Sequence, residues 1–211
     1  MRNLCAGVVP LLFVLLAVGC NNDNVSSDED ARRAYLGLDT SISKSINLGF
    51  QGFNAASSAN IPAQMTTGDK AGTVTITGQV DQGASDNKTM RLEIGMVMYD
   101  DGDIVINDKG DTIHVVYDTD VDPLNQPYLE MKLSMIPTGT LDGKMSTNAS
   151  MNGVYHLSGD LKGTLAIEVT FNGMLMACTA PCMVLRVPGS THVVGTATNN
   201  DGGVYMIDLT I

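Results

Sequence analysis

The chain has no tryptophan, and its 211 residues include only four phenylalanines and six tyrosines. That is poor material for stacking on sugars or bases. Cations are also scarce: 12 Lys and Arg stand against 23 Asp and Glu, a formal net charge of −11. Such a surface repels phosphate backbones, which argues against a nucleic-acid partner, and it disfavours charge-driven binding to anionic membranes. The three histidines, His114, His156 and His192, lie far apart with no H-E-x-x-H or H-x-H spacing. No Gly-rich phosphate loop opens a helix. Gly189-Ser190-Thr191-His192 lacks the second glycine of a nucleophile elbow. Catalysis needs a positioned acid, base or nucleophile, and none stands out, so no catalytic residue, metal site or cofactor is expected and the chain reads as a non-enzyme. Only one stretch approaches a long apolar run, Ala6 to Leu16. It is shorter than the ~20 residues a spanning helix needs.

That run follows Arg2 and leads into the small residues Ala17 and Gly19, with Cys20 directly behind. Charge, short apolar core and small residues are the parts of a secretory signal. Leu16-Ala17-Val18-Gly19-Cys20 resembles the lipobox of bacterial lipoproteins. The resemblance implies that residues 1–19 are a signal peptide and that the Cys20 thiol carries diacylglycerol, anchoring the chain to a membrane. Ala17-x-Gly19 also suits an ordinary signal peptidase, which would leave the same Cys20 unlipidated. Asn21 is not the Asp that favours inner-membrane retention in Gram-negative lipoproteins, which directs the expectation to the outer membrane. Residues 20–30 are polar and acidic and read as a flexible tether.

Residues 31–211 are expected to form a single domain. From about 31 to 54, Tyr35, Leu38, Ile42, Ile46, Phe50 and Phe53 recur every three or four residues, the stripe of an amphipathic helix. Ser27 with Asp30 three positions later suits its N-terminus. Gly37, Gly49, Gly52 and Thr40-Ser41 lower its intrinsic propensity, so packing must hold it. The stripe reads first as core against a sheet, and alternatively as a lid or plug over an apolar cavity. Residues 55–72 carry Pro62 and clustered Ser, Thr and Gly and read as loop.

From residue 73 the period becomes two. Val74, Ile76 and Val80 alternate with threonines; Leu92, Ile94, Met96 and Met98 share a face; Leu129 to Met135 and Leu165 to Phe171 alternate likewise. Asp101-Gly102, Lys109-Gly110, Asn172-Gly173 and Asn200 to Gly203 read as turns. About ten strands at this spacing predict a mainly β fold, an antiparallel β-sandwich or barrel-like meander, with one N-terminal amphipathic α-helix.

Cys178 and Cys182 are the two cysteines left after Cys5 in the signal and Cys20 at the anchor. In an oxidising compartment they read as a disulfide. The alternative is a soft-metal site in which the two thiolates, His192 and a methionine hold Cu(I). Met96, Met98, Met174 and Met176 are expected to face inward, and with Ile42 and Ile46 they are the candidate lining of an apolar ligand site. Asp118, Asp120 and Asp122 alternate like a calcium loop, but Pro123 stands where glycine is needed and Leu129 where glutamate is. Asp100, Asp101 and Asp103 form a second acidic turn. Both read as solvated loops or weak Ca²⁺ sites. The sequence therefore predicts a lipid-anchored, non-enzymatic envelope protein that binds an apolar ligand or an envelope partner. The alternatives are a structural or surface-display lipoprotein and a copper-handling protein.

Overall fold

The computed structural model describes residues 25–82, 88–122, 124–154, 161–179 and 184–211. Among these residues it is mainly antiparallel β with one helix. The helix α1 spans Asp28–Ala55 and the strands are β1 (Asn60–Thr67), β2 (Ala71–Val80), β3 (Lys88–Val105), β4 (Thr112–Thr119), β5 (Tyr128–Ile136), β6 (Thr140–Val154), β7 (Leu161–Ala177), β8 (Val184–Arg186), β9 (His192–Asn199) and β10 (Val204–Thr210). The sheet order is β1-β2-β3-β4-β6-β7-β9-β10, with β5 between β3 and β6 and β8 on β7. This is a meander in which strands pair mostly with their sequence neighbours.

Strands β4 and β5 occupy one place. β4 pairs with the far half of β3 (Tyr99↔Tyr117, Ile104↔Ile113) and β5 with the near half (Leu92↔Met131, Ile94↔Leu129). They are two halves of one strand position, interrupted by an excursion between Thr119 and Tyr128. Gly95 makes room for it, since a Cβ there would stand 2.4 Å from Val121 Cγ1.

The sheet curls round α1. Both end strands, β1 and β10, pack on the helix, as do β2, β3, β4 and β8. From Ala31 to Phe50 no helix residue is exposed. Tyr35, Leu38, Ile42 and Ile46 are at most 1% exposed, and they meet Ile76, Leu92, Ile94, Ile113, Leu133, Ile167 and Ile207 in one core. Close approach depends on missing side chains. A Cβ on Gly37 would lie 2.6 Å from Val115, and one on Gly49 2.4 Å from Leu92. The propensity these glycines sacrifice is recovered by packing.

Several boundaries differ from the sequence reading. The helix begins at Asp28, where Ser27 caps it by accepting from Asp30 N at 3.1 Å. The acidic tether therefore does not run to Asp30: Val25 is buried and its carbonyl accepts from Asn199. Residues 60–67 are an edge strand and not loop. Pro62 is tolerated there because the register shifts between Ile61 and Gln64. Asp101-Gly102 is a bulge inside β3, where the register shifts between Asp100 and Asp103. Asn172-Gly173 is no hairpin, because β6 and β9 pair with that stretch on both sides and keep β7 continuous. β6 was hidden in the sequence by its small and polar residues, although Leu141, Met145, Ala149 and Met151 keep one inward parity.

Candidate functional site

The six proposed lining residues do not form one cavity. Ile42, Ile46 and Met96 are packed in the core. Met98, Met174 and Met176 face outward, 60%, 55% and 41% exposed. Met98 breaks parity because its backbone is left-handed (φ 47°), with its N–H donating to Asp118 Oδ1 at 2.6 Å. Met174 and Met176 face outward because β7 continues through Gly173, so Phe171 and Leu175 take the inward places.

The helix is joined to the sheet by a polar seam. Arg186 on β8 grips Asp39 with two hydrogen bonds, Nη1 to Oδ1 at 2.8 Å and Nη2 to Oδ2 at 2.5 Å, and also donates to Ser43. Tyr35 donates to Asp39 Oδ1 at 3.2 Å. Burial, then the Asp39 charge, pushes the Tyr35 hydroxyl well above its ordinary pKa. Burial alone would lower the Arg186 pKa, but the bonds and charge of Asp39 raise it, so the guanidinium stays charged.

The second half of the seam gathers at the β3 bulge. Lys44 donates to Asp101 at 2.5 Å and to Asp69 at 2.7 Å, while Tyr99 and Thr40 donate to the other Asp101 oxygen. Burial by itself would raise the Asp101 pKa. The Lys44 bond, the Asp69 N–H and the Tyr99 hydroxyl outweigh it and hold the carboxyl below its usual value. Burial, then Asp101, raises the Tyr99 pKa, and its ring meets Tyr117 edge-on at 5.7 Å. Sequence reading missed Asp39, Lys44 and Arg186. The only local signal was a carboxylate four residues after Tyr35, beside the apolar stripe.

The remaining candidates fall elsewhere. His114 lies between Asp100 (2.7 Å) and Asp103 (3.6 Å), and exposed His192 meets Asp208 at 2.9 Å. Asp118, Asp120 and Asp122 use carboxylate oxygens on the backbone N–H groups of Met98, Asp122 and Leu124, which organises the excursion. Among the described residues no three His, Cys, Asp or Glu side chains are grouped to hold a metal ion. Cys178 is disulfide-bonded. Cys20, Cys182 and His156 lie outside the described residues. No helix among the described residues is long and apolar enough to cross a membrane.

Concavities open on the outside of the sheet. One of about 420 Å³ crosses β3, β5, β6 and β7, with the charged side chains of Arg91, Glu93, Glu130, Lys132, Asp142 and Lys144 around the sheet backbone at Leu92, Met131 and Gly143, whose own side-chain positions face the core. Another of about 420 Å³ lies beside the excursion, between Thr75, Val97, Val121 and Pro127, with Asp118 and Asp120 at its side. Ile42, Ile46, Met98 and Met176 line neither. Set against protein-family models, curated proteins and solved structures, the chain matches none.

Proposed function

We propose that this chain is a lipid-tethered protein of the bacterial envelope, held in the outer membrane through Cys20, that works without catalysis by docking an envelope partner on the outside of its sheet. The observation that carries the docking half is the position of α1. The helix occupies the place inside the curled sheet that an apolar ligand would need, and the candidate lining side chains are either packed or turned to solvent. This favours a partner protein over a carried lipid.

The outer face beside the excursion supports the same reading. Met65 shares a rung with Thr75 and Gly95, Val121 lies over Gly95, and Val97 and Met98 follow on β3. All four apolar side chains are exposed, and Leu124 at the excursion tip is 92% exposed. Clustered exposed apolar groups mark interaction surfaces. With Asp118, Asp120 and Asp122 around them, the matching partner surface is apolar with a basic rim. The copper-handling alternative loses support because Cys178 is disulfide-bonded and offers no thiolate.

The test uses the protein made in bacteria with its own signal. Intact-mass measurement reads acylation, and a Cys20→Ser variant moves to the aqueous phase of a detergent split. In-cell crosslinking from position 97 yields one discrete adduct, which Met65→Glu with Val121→Glu abolishes. An unacylated wild-type protein removes the tether. Co-purified lipid in the Cys20→Ser protein would restore the carrier reading.

A further inference from the structure

The groove across β3, β5 and β6 has a charge pattern that the fold does not require. On the outer face, Arg91 on β3 stands directly opposite Lys132 on β5, and two residues along, Glu93 stands opposite Glu130. Like charges on directly opposed strand positions are destabilising. Here two such rungs of opposite sign lie side by side, about 7 Å apart along the strands. Across the next boundary the rungs are complementary: Lys132 faces Asp142, and Glu130 faces Lys144. The conflict is confined to the β3–β5 boundary, which lies in the groove.

Partners from outside relieve only half of it. Arg91 meets Asp81 at 3.3 Å and Lys144 meets Glu130 at 2.9 Å. Among the described residues Glu93 and Lys132 make no ion pair. Glu93, outside any ion pair, and Lys132, with only Asp142 opposite it, therefore face a concavity of about 420 Å³ whose floor is the sheet backbone at Leu92, Met131 and Gly143. A ligand with one anionic and one cationic end would bridge the positive rung and the negative rung together. A simple anion or cation would satisfy one and be repelled by the other.

We propose that this groove binds a zwitterion of the phosphoethanolamine type, free or as a lipid headgroup. The phosphate lies between Arg91 and Lys132, the ammonium between Glu93 and Glu130, and the two-carbon link over the sheet backbone between the two rungs. Two cations suit a phosphate with several acceptor oxygens, and two carboxylates suit an ammonium with three donors. The site is exposed, so binding weakens as salt rises. This inference stands apart from the docking surface and from the lipid anchor.

The experiment titrates the Cys20→Ser protein with O-phosphoethanolamine, inorganic phosphate or ethanolamine by calorimetry at low salt. Saturable binding of O-phosphoethanolamine is expected, weakened about tenfold or more by Glu93→Gln and by Lys132→Gln. Lys109→Gln in the β3–β4 turn leaves it unchanged. Glu93→Gln, which removes only a like-charge rung, should unfold at higher urea than the parent, so its lost binding cannot come from lost folding. Vesicles with phosphatidylethanolamine, set against vesicles of phosphatidylcholine alone, separate the sources. Retention only on the former assigns a headgroup, and binding of the soluble compound alone assigns a free ligand. No saturable binding by either form, phosphate binding as tightly as O-phosphoethanolamine, or full affinity in Glu93→Gln overturns the proposal.

Discussion

Asp39 and Arg186 are separated by 147 positions, yet carboxylate and guanidinium meet in two parallel hydrogen bonds, each side chain only 11% exposed. This pair ties α1 to β8, alongside the glycine contacts and the Lys44–Asp101 seam that also seat the helix in the sheet. The helix presents small and polar residues as well as its apolar stripe, and an apolar contact alone has little directional preference.

Removing one partner leaves an unpaired charge in a nearly dry site. Asp39→Ala or Arg186→Met alone should cost about 3–5 kcal/mol. The double variant Asp39→Leu with Arg186→Met should recover most of that, because neither charge remains to be solvated. Urea unfolding of the four proteins checks it. Equal losses in the single and double variants would mean the pair acts through packing alone.

Gly37→Ala separates helix propensity from packing. Propensity alone predicts a gain of about 1 kcal/mol. The new methyl would fall 2.6 Å from Val115 Cγ2 and 2.9 Å from Ile113 Cγ2, both on stiff β-branched side chains. A net loss of about 1–3 kcal/mol is expected, relieved by adding Val115→Ala. Thermal melts read the sign directly.

The acid limb of stability should depend on Asp101. Its pKa is lowered in the folded protein, so the unfolded chain binds the proton more tightly. Its contribution is full above the ordinary Asp value of about 3.9 and is lost as pH falls through the folded value. Asp101→Asn should flatten that limb and lower stability at neutral pH. A pH series of urea midpoints that remained parallel between variant and parent would contradict this.

The β10 edge is covered by α1: Met206 N donates to Asp28 and Arg32 Nε donates to the Asp208 carbonyl. Exposed strand edges invite pairing with other chains. Asp28→Ala with Arg32→Ala should speed amide exchange at Met206 and raise self-association, seen by light scattering. Unchanged exchange at Met206 would show that the edge is protected by other means.

Glu93→Gln removes one of two opposed carboxylates on the outer face. The unliganded protein should gain about 0.2–1 kcal/mol. Added salt should shrink the difference, since the repulsion is between exposed charges.

The sequence determined the composition of the fold. One 3.6-period stripe and a long period-two region stated a helix followed by an antiparallel sheet, and Ser27, Lys109-Gly110 and Asn200 to Gly203 marked a cap and two turns correctly. These are local effects, and neighbouring residues suffice to express them. Tertiary structure decided which way side chains face. Strand parity holds only while the ladder is unbroken: the left-handed backbone at Met98 turned its side chain outward, and the unbroken ladder at Gly173 did the same for Met174 and Met176. Long-range pairs such as Asp39 with Arg186, and the like-charge rungs of Arg91 with Lys132 and Glu93 with Glu130, exist only once strand register is set. Register comes from the sum of many weak cross-strand contacts and the packing of one face, and no short stretch of sequence carries that sum.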